Sequence, residues 1–291
     1  MKTKIFVQGI PVIVLLMAFL GAGGIYLSTQ SADNLKTLNE SKDKNIQTNI
    51  EKKIGIPVLM YHMIEKNENI IPYPEAKLGK NMAVTPEEFK EQIQYLKSNG
   101  YRTITYEQLN DFMITGTRLK DKSIVISFDD GYYSTYKYAY NILKELEMTA
   151  EVAVITGVDC MDNMLGRTTL SKHFNWEQAK EIAQSQVLDL QSHTVTHKNL
   201  AEVDEKVLKF ELMTSKQSLE DKLHRTITTI IYPSGGYNEK VITEAKRAGY
   251  KMGVTTIEGL NYYKDNTMTV KRFTINHQET GESILKRIQS Y

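Results

Sequence analysis

From residue 54 onward, short apolar β-branched runs alternate with segments of helical spacing. The runs are Pro57–Tyr61, Arg102–Thr105, Ser123–Phe128, Glu151–Thr156, Val187–Gln191, Thr228–Tyr232, Lys251–Val254 and Met268–Arg272. Between them the pattern changes period. Thr85-Pro86-Glu87-Glu88 offers an N-cap, a proline at the first helical position and a capping-box glutamate. Phe89, Ile93 and Leu96 then share one face, and Gly100 supplies a stop. Val241, Ile242, Ala245 and Ala248, closed by Gly249, repeat that grammar. Ala201–Leu223 reads as the longest amphipathic helix. Near-continuous apolar strands alternating with helices predict a parallel sheet covered by helices. Seven or eight such units fit an irregular (β/α) barrel, with function at the C-terminal ends of its strands.

The first 53 residues follow a different pattern. Lys2 and Lys4 precede an uncharged run from Ile5 to Leu27, long enough to cross a hydrocarbon core of roughly 30 Å. Residues 1–27 are therefore expected to form a membrane anchor, with the N-terminus inside and the body on the extracellular face. A cleaved signal peptide, releasing a secreted protein, is the alternative. Residues 28–53 are polar and poor in large apolar side chains, and read as a stalk. Residues 54–291 form the expected globular domain.

Composition narrows the partners. The 291 residues carry a formal net charge of +1, so nothing points to nucleic acid. The apolar content of 41% is ample for a core. Cys160 is the single cysteine, which excludes an intrachain disulfide. No obligate protein partner is evident.

Two strand ends carry the candidate chemistry. Ser127-Phe128-Asp129-Asp130-Gly131 closes one run, and Ser192-His193-Thr194-Val195-Thr196-His197 closes another. Two carboxylates held together repel, and one pKa rises unless a cation intervenes. A divalent ion resolves this if one acid ligates and the other serves as base. Two histidines four apart recur in zinc sites and share a face if the segment turns helically. Two imidazoles and one carboxylate suit Zn²⁺, with Co²⁺, Ni²⁺, Mn²⁺ and Fe²⁺ compatible. His62 and Tyr232-Pro233 end two further strands on the same face. The plain readings are an Asp-Gly turn with solvated acids and two surface histidines. His173 and His224 read as surface residues. Trp176 opens a helix, where it either packs or stacks on a sugar.

These motifs resemble the first two signatures of the polysaccharide deacetylases (carbohydrate esterase family 4, the NodB-homology fold). The resemblance runs from about Ile56 to Ile288. Pro57-Val58-Leu59-Met60-Tyr61-His62, Tyr232-Pro233-Ser234-Gly235-Gly236-Tyr237-Asn238 and Val270-Lys271-Arg272-Phe273 are similar to the branch containing the poly-β-1,6-N-acetylglucosamine deacetylases. The resemblance implies Asp129 as catalytic base and Asp130, His193 and His197 as metal ligands. It implies His62 as general acid, with His277 as a rival, and Arg272 as the cation orienting the base. The Tyr132 backbone N–H is implied as an oxyanion donor. Read from the residues themselves, Tyr232 and Tyr237 line the groove, Pro233 fixes its loop, and Tyr232, Pro233 and Trp176 are candidate substrate contacts. The common Arg-x-Pro-Pro-Tyr motif is replaced here by Tyr232-Pro233-Ser234-Gly235.

The expected activity is metal-dependent removal of N-acetyl groups from N-acetylglucosamine units of an extracellular or wall polysaccharide. Poly-N-acetylglucosamine is favoured over peptidoglycan. Two other classes remain: a non-catalytic sugar-binding protein, and a glycosidase using Asp129 and Asp130. Adjacent acids sit poorly for the latter, which needs carboxyls about 5–9 Å apart across a sugar.

Overall fold

The structure is a computed structural model that describes residues 54–66, 82–119, 122–157 and 172–291. They belong to one unit, Thr48–Tyr291. The anchor, the stalk and Cys160 lie outside the described residues. Among the described residues no helix is long and apolar enough to cross a membrane.

Among the described residues the strands are β1 (Val58–Tyr61), β2 (Met63–Ile64), β3 (Ala83–Val84), β4 (Arg102–Thr103), β5 (Ser123–Phe128), β6 (Ala150–Val154), β7 (Leu188–Ser192), β8 (Thr229–Ile231), β9 (Met252–Val254) and β10 (Phe273–Thr274). The helices that matter below are α1 (Pro86–Ser98), α2 (Tyr106–Thr115), α3 (Tyr140–Glu145), α4 (Trp176–Gln184), α5 (Glu205–Leu223), α6 (Glu239–Arg247) and α7 (Gly281–Gln289). The main sheet runs β10-β1-β5-β6-β7-β8-β9, with β4 added beside β5 and every pairing parallel. The result is a parallel-strand α/β half-barrel. A bridge from Val254 to Val270 links β9 to the segment leading into β10.

Side chains two apart share a face of a strand. Val58, Val125, Ala153, Ile231, Met252, Val254 and Val270 cluster on the inner face with Tyr106, Leu109, Phe112 and Met113 of α2. Leu59, Tyr61, Ile126, Phe128, Val152, Leu190 and Ile230 meet the remaining helices on the other face. The inner columns continue to polar ends: Val125 leads to Ser127 and Asp129, Gln191 to His193, and Val270 to Arg272. That alternation delivers all three groups to one end of the sheet.

The helix signals behave as the side chains demand. Thr85 caps α1 in a capping box with Glu88, with Pro86 in the first turn. The predicted single helix over Ala201–Leu223 is instead a 3-10 turn, Leu200–Glu202, followed by α5. Asp204 makes the break, because its side chain accepts from the Val207 N–H and caps a fresh helix. The predicted strand Met268–Arg272 becomes a 3-10 turn, Thr267–Thr269, with the strand displaced to Phe273–Thr274. Asn266 accepts from the Met268 N–H and starts that turn.

Candidate active site

The Asp129 N–H still bonds to Tyr61 O at 2.9 Å, so its side chain keeps the inner-face phase of β5. Asp130 and Gly131 then adopt φ of 72° and 77° and turn the chain. A non-glycine residue in the left-handed region costs of order 1–3 kcal/mol. After the turn both carboxylates act on the same imidazoles, His62 and His193, although neighbours on a regular strand diverge.

His193 ends β7, and its Nδ1 lies 2.9 Å from Ile231 O at the tip of β8. With Nδ1–H donated there, Nε2 carries the lone pair. That Nε2 is 3.3 Å from Asp130 Oδ1. His197 Nε2 is also 3.3 Å from Asp130 Oδ1. The imidazole centroids are 4.7 Å apart, at 69°. A helical turn was expected to align the pair. Instead the loop coils through two left-handed residues, Thr194 (φ 67°) and His197 (φ 57°).

Asp130 Oδ1 is buried and accepts no hydrogen bond, so the three side chains do not satisfy one another. One donor atom from each of Asp130, His193 and His197 lies within 4.8 Å of the others. A buried, orphaned carboxylate oxygen facing two imidazole nitrogens is a donor set that fits a divalent cation. Burial alone would raise the Asp130 pKa, but the imidazoles, His193 foremost, hold it well below the carboxylate range. Burial works to lower His193, yet the carboxylates raise it above the histidine norm. His197 is lowered, by burial and then by His193.

Asp129 meets Arg272 in a two-pronged ion pair. Nη1 donates to Oδ1 at 2.7 Å and Nη2 to Oδ2 at 2.8 Å. Arg272 is fully buried, and its remaining donors reach Thr255 O at 2.8 Å and Ser127 Oγ at 3.2 Å. Burial pushes the Asp129 carboxyl up, and the guanidinium outweighs it, leaving the acid below its usual range.

His62 follows β1, and its buried Nδ1 has no hydrogen-bond partner. Burial lowers its pKa against the pull of Asp129 and Asp130, whose charges it feels. His277 is held elsewhere, with Nδ1 3.0 Å from Glu88 Oε2 of α1.

Three expectations need correction. Tyr232 does not line a groove: it is fully buried, its hydroxyl donates to Met268 O at 3.3 Å, and Tyr237 stacks over it. Pro233 is also buried, opening a 3-10 turn in which Ser234 has φ 53°. For Trp176 the packing alternative holds: it is half-buried against the core, with Lys222 Nζ 6.0 Å from its ring centroid. His173 is not a free surface residue. It bridges to Tyr132, its ring stacks at 5.2 Å, and burial lowers its pKa while it feels Asp130. Tyr132 itself is half-buried directly after the Asp130–Gly131 turn.

Sequence reasoning missed Glu211 on α5. Its buried carboxylate accepts from the N–H groups of Val195 and Thr196, each at 2.8 Å, and from the Thr196 hydroxyl. The available signal was its phase: Leu208, Leu212, Ser215 and Leu219 are buried at helical spacing, and Glu211 falls among them.

A family model described as polysaccharide deacetylase matches residues 116–253. The polysaccharide-deacetylase protein YxkH of Bacillus subtilis (strain 168), so described by family, is 30% identical over 241 residues, 82% of this chain and 78% of that one. The Poly-beta-1,6-N-acetyl-D-glucosamine N-deacetylase of Staphylococcus aureus (strain NCTC 8325 / PS 47) is 25% identical over 273 residues, 90% of this chain and 91% of that one. Among solved structures, the Streptococcus pyogenes deacetylase PplD in complex with acetate superposes with a TM-score of 0.70 at 30% identity. The match covers 81% of this chain and 98% of that chain.

Proposed function

The chain belongs to the polysaccharide deacetylase family, and from that membership we propose that it uses a divalent metal to hydrolyse N-acetyl groups on N-acetylglucosamine units of an extracellular polysaccharide. One observation carries the reading: an acid locked on a buried guanidinium stands directly beside an Asp–His–His set whose free donor atoms converge. The Val254–Val270 bridge supports reading the half-barrel more finely, as an irregular (β/α) barrel with this site at its mouth.

Asp130, His193 and His197 would hold the ion. When bound, it supplies positive charge beside the acetamide carbonyl and makes a neighbouring water more acidic. Asp129 takes the proton from the attacking water. Arg272 keeps that carboxylate ionised and aimed by gripping both of its oxygens. The Tyr132 N–H faces the oxyanion of the tetrahedral adduct. His62 gives a proton to the departing nitrogen, so acetate and a free amine leave. Poly-N-acetylglucosamine is the favoured polymer, supported by the length over which the staphylococcal enzyme aligns. In this reading Ile5–Leu27 tethers the domain to the outer face of the cytoplasmic membrane, and zinc is the default ion.

The test is acetate release by the purified chain from acetylated chitooligomers, β-1,6-linked oligomers and peptidoglycan, after chelation and with Zn²⁺, Co²⁺, Ni²⁺ or Mn²⁺ restored. Acetate that depends on added metal is expected. New reducing ends without acetate would make the chain a glycosidase and overturn the proposal.

A further inference from the structure

The two imidazoles are joined by a loop with little internal support. His193 has its own brace in Ile231 O. Among the described residues the His197 ring has none of that kind, and its backbone N–H bonds to Thr194 Oγ1 at 3.1 Å, within the loop itself. Its side chain is 29% exposed, against 2% for His193. Two residues of the loop, Thr194 and His197, sit in the left-handed region. Something outside the loop must hold that shape.

Two supports come from outside: the Thr156 and Gly157 N–H groups donate to Thr194 O at 3.0 Å and Val195 O at 2.8 Å, and the Glu211 carboxylate holds the loop's own N–H groups. Glu211 is 1% exposed, and its three described hydrogen bonds all go to residues between the histidines. Oε2 receives two consecutive N–H groups, the arrangement of a backbone nest closing on an anion. Oε1 receives the Thr196 hydroxyl. Bonds to an ionised acceptor are stronger than neutral ones. The helix beneath is itself pinned to the preceding strand: Ser192 Oγ donates to Ser215 Oγ at 2.8 Å, and Ser215 Oγ donates to Glu211 O at 2.6 Å. Thus α5 registers the loop against β7.

We propose that Glu211 is a positioning residue that fixes the separation of His193 and His197, and so sets the affinity and geometry of metal binding. It acts mainly through His197, whose ring has no such brace among the described residues. The inference rests on the proposed metal-binding role of the Asp130–His193–His197 set.

The experiment uses the full-length chain, stripped with chelator. Zn²⁺ affinity is measured by competition with a chromophoric chelator, and Co²⁺ loading is followed by its visible absorption. Glu211→Leu removes all three bonds. Glu211→Gln keeps one acceptor oxygen and serves as the conservative variant. Thr196→Val deletes only the hydroxyl bond. Loss of an outer group of this kind weakens metal binding about 10–100-fold. The expected order of Zn²⁺ affinity is wild type, then Thr196→Val and Glu211→Gln, then Glu211→Leu, with an altered Co²⁺ spectrum in step. Should Glu211→Leu fail to fold, the two milder variants carry the test. Wild-type Zn²⁺ affinity and an unchanged Co²⁺ spectrum in both, even with a lower melting temperature, would reduce Glu211 to a structural residue and overturn the proposal. A wild-type chain that binds Zn²⁺ but releases no acetate from any polymer would end the deacetylase reading and leave the clamp standing.

Discussion

Replacing Arg272 with methionine keeps an unbranched stem in the core and removes the guanidinium. Four hydrogen bonds go with it: two to Asp129, one to Ser127 and one to Thr255. The dominant loss is the ion pair, because Asp129 stays buried, 3% exposed, with no opposite charge. Removing one partner of a buried pair costs about 3–5 kcal/mol, whereas replacing both by apolar side chains is near neutral or stabilising. The pH dependence follows from the sign of the Asp129 shift. Its native pKa lies below the unfolded value, so its contribution is present above the unfolded pKa and is lost as pH falls through the native one. Without Arg272, burial dominates and pushes the carboxyl up instead. The gap between wild type and Arg272→Met is therefore widest at neutral pH and shrinks in acid, as pH falls first through the raised carboxyl of the variant and then through the depressed one of the wild type. Urea unfolding of the chelated protein at neutral and acid pH measures this, with Asp129→Leu/Arg272→Met as the companion. That double variant is expected to recover most of the loss. If it instead loses the sum of the single effects, or if the gap ignores pH, Arg272 acts through packing and not through the pair.

Asp130→Asn removes the charge from the ligand set and is expected to weaken zinc uptake beyond the roughly 10–100-fold of an outer residue, read by chelator competition. The two candidate acids separate cleanly by acetate release. His62→Gln is expected to lower kcat about 10²–10⁴-fold, and His277→Gln to leave it near wild type while costing under about 1 kcal/mol from the Glu88 contact. A loss confined to His277→Gln would move the acid to His277. Glu151 accepts from Tyr106 N–H and Gln191 Nε2, with Asp189 close by. Burial first, then the Asp189 charge, raises its pKa well above the carboxylate norm. A raised native pKa confers stability that fades as pH rises through it. Glu151→Gln should therefore gain melting temperature at about pH 8 relative to about pH 5, and a pH-independent effect would contradict that sign.

Much of the site could be read from the chain because strands and turns have simple grammar. The run Ser123–Phe128 is observed unchanged as β5, and its two-residue period carries Asp129 inward without any tertiary knowledge. The pairing of Arg272 with Asp129, 143 positions apart, came from a resemblance and not from spacing. Tyr232 failed for a plain reason: its phase at the end of β8 turns it into the core, where Tyr237 and Met268 O receive it. The His193–His197 geometry was misread because threonine and histidine give no advance notice of left-handed backbone. Glu211 was missed for another cause, although its phase places it among buried positions. A glutamate in a charged amphipathic helix reads as a solvent-facing residue until the loop that claims it is located in space.

One consequence concerns the order in which the chain is made. Ribosomal synthesis delivers Asp129, Asp130, His193 and His197 long before Arg272. The short segment from Val270 to Thr274 both bridges to β9 and lies against β1. A nascent or proteolytically clipped chain ending before it would possess every candidate ligand, yet Asp129 would lack its counter-charge and β1 its outer neighbour. Synthesis of that one segment is thus the event that gives Asp129 its counter-charge and β1 its neighbour together.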